Sequence, residues 1–314
     1  MKPRTLPPGL CLGLLTCKQS ILPIGPNKTS KKGSKTSPLQ FVLVSPVFLL
    51  RSFSLTAWTD PNIVSSVKAF HLLLTFFCWL FFCHSPQTAA EPLADSRQAL
   101  VVLSSNWETI HAEMVCFERP TNTAPWQQTA LRMPVVLGRN GMGWGLGLHQ
   151  TNSLNGPLKH EGDGKSPAGI FLLPGAFGYD TPAEISWLKM PYVQCTSTLE
   201  CVDDSQSRYY NQTLERPTVS KPDWNSSEQM RRKDEHYHYG IFVAHNQNPA
   251  IAGRGSCIFI HLWEGPAIGT SGCTAMDHEN ILKLLHWLDS AKNPLLIQMP
   301  TQEYEKVKSA WVLP

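Results

Sequence analysis

Acidic residues are almost absent from the first 90 positions, where nine Lys or Arg stand against a single acid, Asp60. From Glu91 onward the balance reverses, with eighteen basic against twenty-three acidic residues, although the whole chain carries +3. The net positive charge is therefore a property of the leader and gives no argument for a nucleic-acid partner. Long apolar runs are also missing. The longest, Ala69 to Cys83 in KAFHLLLTFFCWLFFCHSPQTAA, is about fifteen residues, short of the roughly 18 to 20 that a spanning helix needs. No internal repeat is visible, and no Met occurs between Met1 and Met114.

The order of features in residues 68–90 is one positive charge, an apolar core, and a polar stretch ending in Thr-Ala-Ala. This is the order of a secretory signal peptide with small residues at its cleavage site, and cleavage after Ala90 is expected. An uncleaved segment would instead tether the protein to a membrane through residues 69–83. Residues 1–67 are rich in Pro, Ser, Thr and Lys without helical or strand period, and read as a disordered extension or as an untranslated part of the gene with a start near Val64 or Val67. The expected location is periplasmic or cell-envelope.

Export places Cys116, Cys195, Cys201, Cys257 and Cys273 in an oxidising compartment. Five is odd, so one thiol is left over even if the rest pair. Cys195 and Cys201, six apart in YVQCTSTLECVDD, are the candidate disulfide. A Cys257–Cys273 bond is the competing pairing, and it would silence Cys273.

From Gln98 the chain reads as short strands separated by turns. QALVVLSS and MPVVLG are apolar enough for buried strands, while GRNGMGWGLG is too Gly-rich for a helix. The Gly143 to Gly147 alternation is not followed by a helix start or by Lys-Ser/Thr, so a turn is expected there rather than a phosphate loop. EGDGKSPAGIFLLPGAFGY sets a turn before a strand at Gly169 to Leu173, and residues 180–235 form a long polar excursion. YHYGIFVAHN and SCIFIHLW are strong strand signals. Asp277 is placed to cap a helix whose stripe is Ile281, Leu284, Leu285 and Leu288. PLLIQMP is a further strand, and Thr301 opens a last short helix with Tyr304, Val307 and Trp311. The expectation is a single, mainly β domain over residues 95–314 with one or two helices near the C-terminus.

Alternation in Cys257 to Trp263 puts His261 near the end of one strand face. Gly265, Pro266, Gly269 and Gly272 then turn the chain, returning Cys273 just before the helix. A thiol with an ordinary pKa near 8.5 is only a few per cent thiolate at neutral pH, so a nucleophilic Cys needs a base or a positive neighbour. Ser271 and Gly272, with Thr270, can shape both the turn and a hole for an oxyanion. Ser256 and Asn246 flank the histidine strand and are candidate substrate-binding groups, together with Thr270.

GSCIFIHLW…TSGCTAM resembles the active-site signature of the bacterial L,D-transpeptidase catalytic domain family, in which a His on a strand precedes a Ser/Thr-x-Gly-Cys turn. GDGKSPAGIF is similar to an earlier turn and strand of that family, and the likeness extends over roughly Gln98 to Pro300. This chain departs from the family in having Ser271 where His is frequent and Thr274-Ala275 where a basic residue or Asn is frequent. The resemblance implies a β-sandwich and an exported enzyme of peptidoglycan biosynthesis, with Cys273 as nucleophile and His261 as base. Stem peptides would be its partners, and neither a metal nor an organic cofactor is implied.

Three other readings compete. The same chemistry with water as acceptor gives an L,D-carboxypeptidase. A zinc peptidase would draw on His236, His238, Asp234, Glu235 and His245, or on His160 with Asp163. A cell-wall binding module would keep the groove without turnover. Asp203, Asp204, Tyr210 and Asn211 are candidates to line that groove, with Trp187, Trp224 and Trp263 to cover it. Asn27, Asn211 and Asn225 head Asn-x-Ser/Thr sequons, which are chance occurrences in a bacterial protein.

Overall fold

In the computed structural model the described residues are 93–149 and 154–314; the expected extension (1–67) and signal segment (68–90) lie outside them. The described part begins with β1 (Gln98–Ser104), which runs parallel to β14 (Leu295–Pro300) with Ala99 opposite Leu295. All six residues of β14 and six of the seven of β1 are buried, as expected of a parallel pair covered on both faces. On one side of this pair β5 (Ser166–Leu172) and β4 (Met142–Trp144) extend the sheet. On the other side follow β2 (His111–Glu118), β3 (Gln127–Val136), β13 (Thr274–Met276), β12 (Phe259–Leu262), β11 (Tyr239–Phe242), β6 (Ala176–Gly178) and β7 (Tyr192–Gln194). The eleven strands form one hydrogen-bonded order, mainly β and consistent with a sandwich.

The two helices are where the periodicity puts them. α1 (His278–Trp287) is capped by Asp277, whose Oδ1 accepts the Asn280 N–H at 2.8 Å, and it buries Ile281, Leu284 and Leu285. Each such side chain contributes about 1.5 to 3 kcal/mol on burial. Asn293, in the left-handed conformation at φ 47°, ends the turn after α1, and α2 (Thr301–Val307) closes the fold. Among the described residues no helix is long and apolar enough to cross a membrane.

The polar excursion is more ordered than its sequence suggests. It folds into a three-stranded antiparallel sheet of β8 (Leu199–Val202), β9 (Thr213–Glu215) and β10 (Ser227–Gln229). All four residues of β8 are buried, and the strand is fastened to the main sheet by a Cys201–Cys257 disulfide. The expected Cys195–Cys201 pairing is thus incorrect. Cys201 sits on β8 facing the segment that enters β12, while Cys195, just after β7, remains a free buried thiol. Six residues of sequence separation gave no information on which way the two side chains point. The competing Cys257–Cys273 bond is also absent, because Cys257 is already paired and Cys273 is free.

Candidate active site

His261 and Cys273 are brought together by a parallel pairing. β12 pairs with β13 so that Ile260 is level with Thr274 and His261 with Ala275. Continuing that register, Cys273 is level with Phe259. Side chains of paired residues, and of residues two apart, share a face, so Cys273 and His261 project from the same side of the sheet. They are offset by two residues of rise, roughly 6.6 Å. Both line one cavity of about 480 Å³.

The backbone of the nucleophile is pinned from two directions. The Cys273 carbonyl accepts from the hydroxyls of Ser166 at 2.9 Å and Thr270 at 2.6 Å. Thr270 Oγ1 also accepts the N–H of Gly272 at 3.1 Å, and Ser271 Oγ accepts from Arg139 Nη1 at 3.0 Å. Gly272 has φ 154°, a conformation that side-chain-bearing residues rarely adopt. Ser271, Gly272 and Thr270 therefore build the turn, and within it the Gly272 N–H is taken by Thr270.

The imidazole is oriented by its own strand. His261 Nδ1 lies 2.7 Å from the Leu262 carbonyl; a carbonyl can only accept, so Nδ1 carries the proton and Nε2 keeps its lone pair. Tyr237 packs edge-on against the ring at 5.1 Å, and His236 stacks at 6.5 Å. Burial lowers the imidazole pKa to about 4, with nearby His236 and Arg232 adding to the effect against the Leu262 hydrogen bond and Asp234.

The thiol is shifted the other way. Burial pushes Cys273 well above its ordinary value, Glu228 adds to this, and the Phe259 N–H, Lys159 and Arg232 oppose it. Its sulfur accepts from Phe259 N at 3.4 Å and donates toward the Cys257 carbonyl at 3.6 Å. At neutral pH the resting pair is a neutral thiol beside a neutral imidazole, and no hydrogen bond joins the two side chains among the described residues. Such an arrangement suits proton transfer during attack better than a standing thiolate–imidazolium pair.

The remaining candidates divide. Ser256 lines the cavity and donates to Glu161 Oε2 at 2.6 Å. Asn246 does not face the cavity. Its amide is consumed in the 246–255 loop, donating to Ile251 and Gly255 and accepting from the Ile251 N–H. Asp203 lines the cavity, its Oδ1 buried without a partner, whereas Tyr210 and Asn211 line a different depression. Asn211 bridges the excursion to the main sheet, donating to the His245 and Asn246 carbonyls and accepting the Cys257 N–H. Trp263 is at the cavity, but Trp187 stacks on His286 and Trp224 is buried against Glu200. Sequence reasoning missed Lys159, Glu161, Arg139, Glu228 and Arg232, all of which line the cavity. The first two adjoin the quoted GDGK turn.

Among the described residues no group of three or more His, Cys, Asp or Glu is arranged to hold a metal ion. Both ring nitrogens of His245 are engaged, with the Leu146 N–H and the Arg254 carbonyl, and both of His238, with Glu235 and Asp180. The zinc reading therefore lacks a ligand set there.

The family model of the L,D-transpeptidase catalytic domain (YkuD) matches residues 121–297. The chain belongs to that family. The match covers the strand that carries His261, the turn that carries Cys273, and the excursion. Among solved structures, the helical cell shape determining protein Pgp2 from Campylobacter jejuni is similar at 14% identity and a TM-score of 0.31, over 66% of this chain and 51% of that one. This chain thus spans about half the length of that protein, and a likeness so loose carries no argument. No curated protein sequence matches the chain.

Proposed function

We propose that the protein is an exported L,D-transpeptidase that cross-links peptidoglycan stem tetrapeptides through a thioester on Cys273. The observation that carries this reading is the shared cavity, in which the His261 ring is held by Leu262 so that Nε2 is free as a base on the same sheet face as the thiol. In the reaction, Cys273 Sγ attacks the carbonyl following the L-centre of meso-diaminopimelate. His261 Nε2 takes the thiol proton and returns it to the amine of the departing D-Ala. An amine of a second stem then displaces the sulfur, and water in its place gives the carboxypeptidase outcome. With Gly272 engaged in the turn, the N–H of Cys273 is the turn donor assigned to the developing oxyanion. Ser256 and Asp203 are assigned to the peptide groove. The family assignment supports peptidoglycan as the substrate class, and the leader composition supports export.

The test is product analysis after incubation with a disaccharide tetrapeptide, using wild type, Cys273→Ala and His261→Ala. Wild type should release D-Ala and form a dimer, and both variants should form neither. Product from Cys273→Ala would overturn the mechanism, and D-Ala release without dimer would reassign the protein as the carboxypeptidase.

A further inference from the structure

The thioester chemistry of Cys273 and His261 makes no use of Lys159, yet this lysine is almost wholly withdrawn from water, its side chain 3% exposed. Its ammonium donates to Asp163 Oδ1 at 2.6 Å and to the His160 carbonyl at 2.7 Å, which leaves one of its three N–H donors unassigned. Asp163 is itself held in place, accepting the backbone N–H groups of Lys165 at 2.9 Å and His160 at 2.7 Å. The aliphatic stem passes against Gly255, where an added Cβ would meet Lys159 Cε at 3.0 Å. Its tip arrives at the nucleophile turn, since a Cβ at Gly272 would start 3.7 Å from Nζ. Lys159, Gly272 and Cys273 line the same cavity.

Burying a charge carries a desolvation cost that a partner only partly offsets, so an apolar residue of the same length would serve packing alone better. A cation at this place acts with little solvent screening. The charged groups that bear on the Cys273 sulfur are Glu228 on β10, which opposes a negative sulfur, and Lys159 and Arg232, which favour it. Arg232 is engaged with both oxygens of Asp234, whereas Lys159 keeps its spare donor.

We propose that the Lys159–Asp163 pair is an electrostatic device for the nucleophile, its ammonium stabilising negative charge on the Cys273 sulfur and donating its third N–H to the anionic oxygen of the tetrahedral intermediate. The inference rests on the reading of Cys273 as the nucleophile. As the S–C bond forms, the carbonyl π pair moves onto oxygen and the thiol proton moves to His261. The ligand class at the third N–H of Lys159 is thus the oxyanion formed from a peptide carbonyl.

The experiment is alkylation of Cys273 by iodoacetamide as a function of pH, followed by peptide-resolved mass spectrometry on the full chain. Wild type, Lys159→Met and Asp163→Asn are compared. Lys159→Met should slow alkylation about tenfold at a fixed pH below the thiol pKa. Asp163→Asn, which leaves the ammonium without its counter-charge, should speed it. A purely structural role would move both variants in the same direction, and that result, or a Lys159→Met profile coincident with wild type, overturns the proposal. If Lys159→Met fails to fold, the Asp163→Asn arm still decides, because unchanged or slower alkylation contradicts the account. Alkylation needs no peptide, so opposite shifts in an enzyme inert to tetrapeptide would count against the proposed function and against the oxyanion contact, and leave only the stabilisation of the Cys273 thiolate by Lys159 standing.

Discussion

Acid should destabilise this protein in a pH range where few carboxylates titrate. Three histidines are held neutral by burial: His261 and His149 with pKa values lowered to about 4, and His245 to about 3. In the unfolded chain each returns to about 6.5. Their folded values lie below the unfolded ones, so between about pH 6.5 and 4 the unfolded state binds more protons and stability falls as pH falls. One buried histidine shifted by that amount contributes about 3 kcal/mol that is present above pH 6.5 and lost by pH 4. With all three titrating in the unfolded state alone, the slope reaches about 4 kcal/mol per pH unit near pH 5. A typical domain has only about 5 to 15 kcal/mol in total, so unfolding is expected before the folded histidines charge. The lowered carboxylates, such as Asp234 at about 2 beside Arg232, act in a separate window below their unfolded values near pH 4. The assay is urea unfolding from pH 7.5 to 4.5 on wild type and His261→Asn, whose slope should be shallower by one proton. Stability that is flat from pH 7 to 5, or an NMR titration of folded His261 near 6.5, would refute the reasoning.

Breaking the Cys201–Cys257 disulfide with Cys201→Ser should cost about 2 to 4 kcal/mol and make the excursion around β8 the first site of limited proteolysis, read by peptide mapping. Gly272→Ala places a side chain at φ 154° with its Cβ 3.1 Å from the Lys165 carbonyl; a loss of about 1 to 3 kcal/mol and slower acylation of Cys273 are expected from calorimetry and rate measurements. Asp277→Ala removes the α1 cap and should lower stability by about 1 kcal/mol without changing acylation.

Much of the scaffold was legible because its signals are local. The Asp277 cap and the Ile281, Leu284, Leu285 stripe specify α1 from within a dozen residues, and the apolar runs at Gln98 and Leu295 mark the buried parallel pair. β3 starts earlier than expected, at Gln127, because its first half is an exposed polar segment with no apolar signature. The order in which strands pair is non-local, and so is the Cys201–Cys257 bond, whose partners are 56 residues apart. His261 and Cys273 stood out because turn chemistry and strand alternation lie close together in sequence. Lys159 did not. Its importance comes from Asp163, Gly255 and Gly272 meeting around it, and a lysine in a polar turn otherwise reads as exposed. Asn246 and Asn211 show the converse: both are polar residues near the site whose hydrogen bonds serve the loops.

The most direct test of the central claim is intact-mass and peptide-resolved mass spectrometry of the protein after brief exposure to a disaccharide tetrapeptide and, separately, to a carbapenem. The account predicts an acyl adduct on the Cys273 peptide of wild type, with D-Ala released in the first case, and none on Cys273→Ala. An adduct that persists in Cys273→Ala, or a wild type whose free Cys273 thiol acquires none, would contradict it.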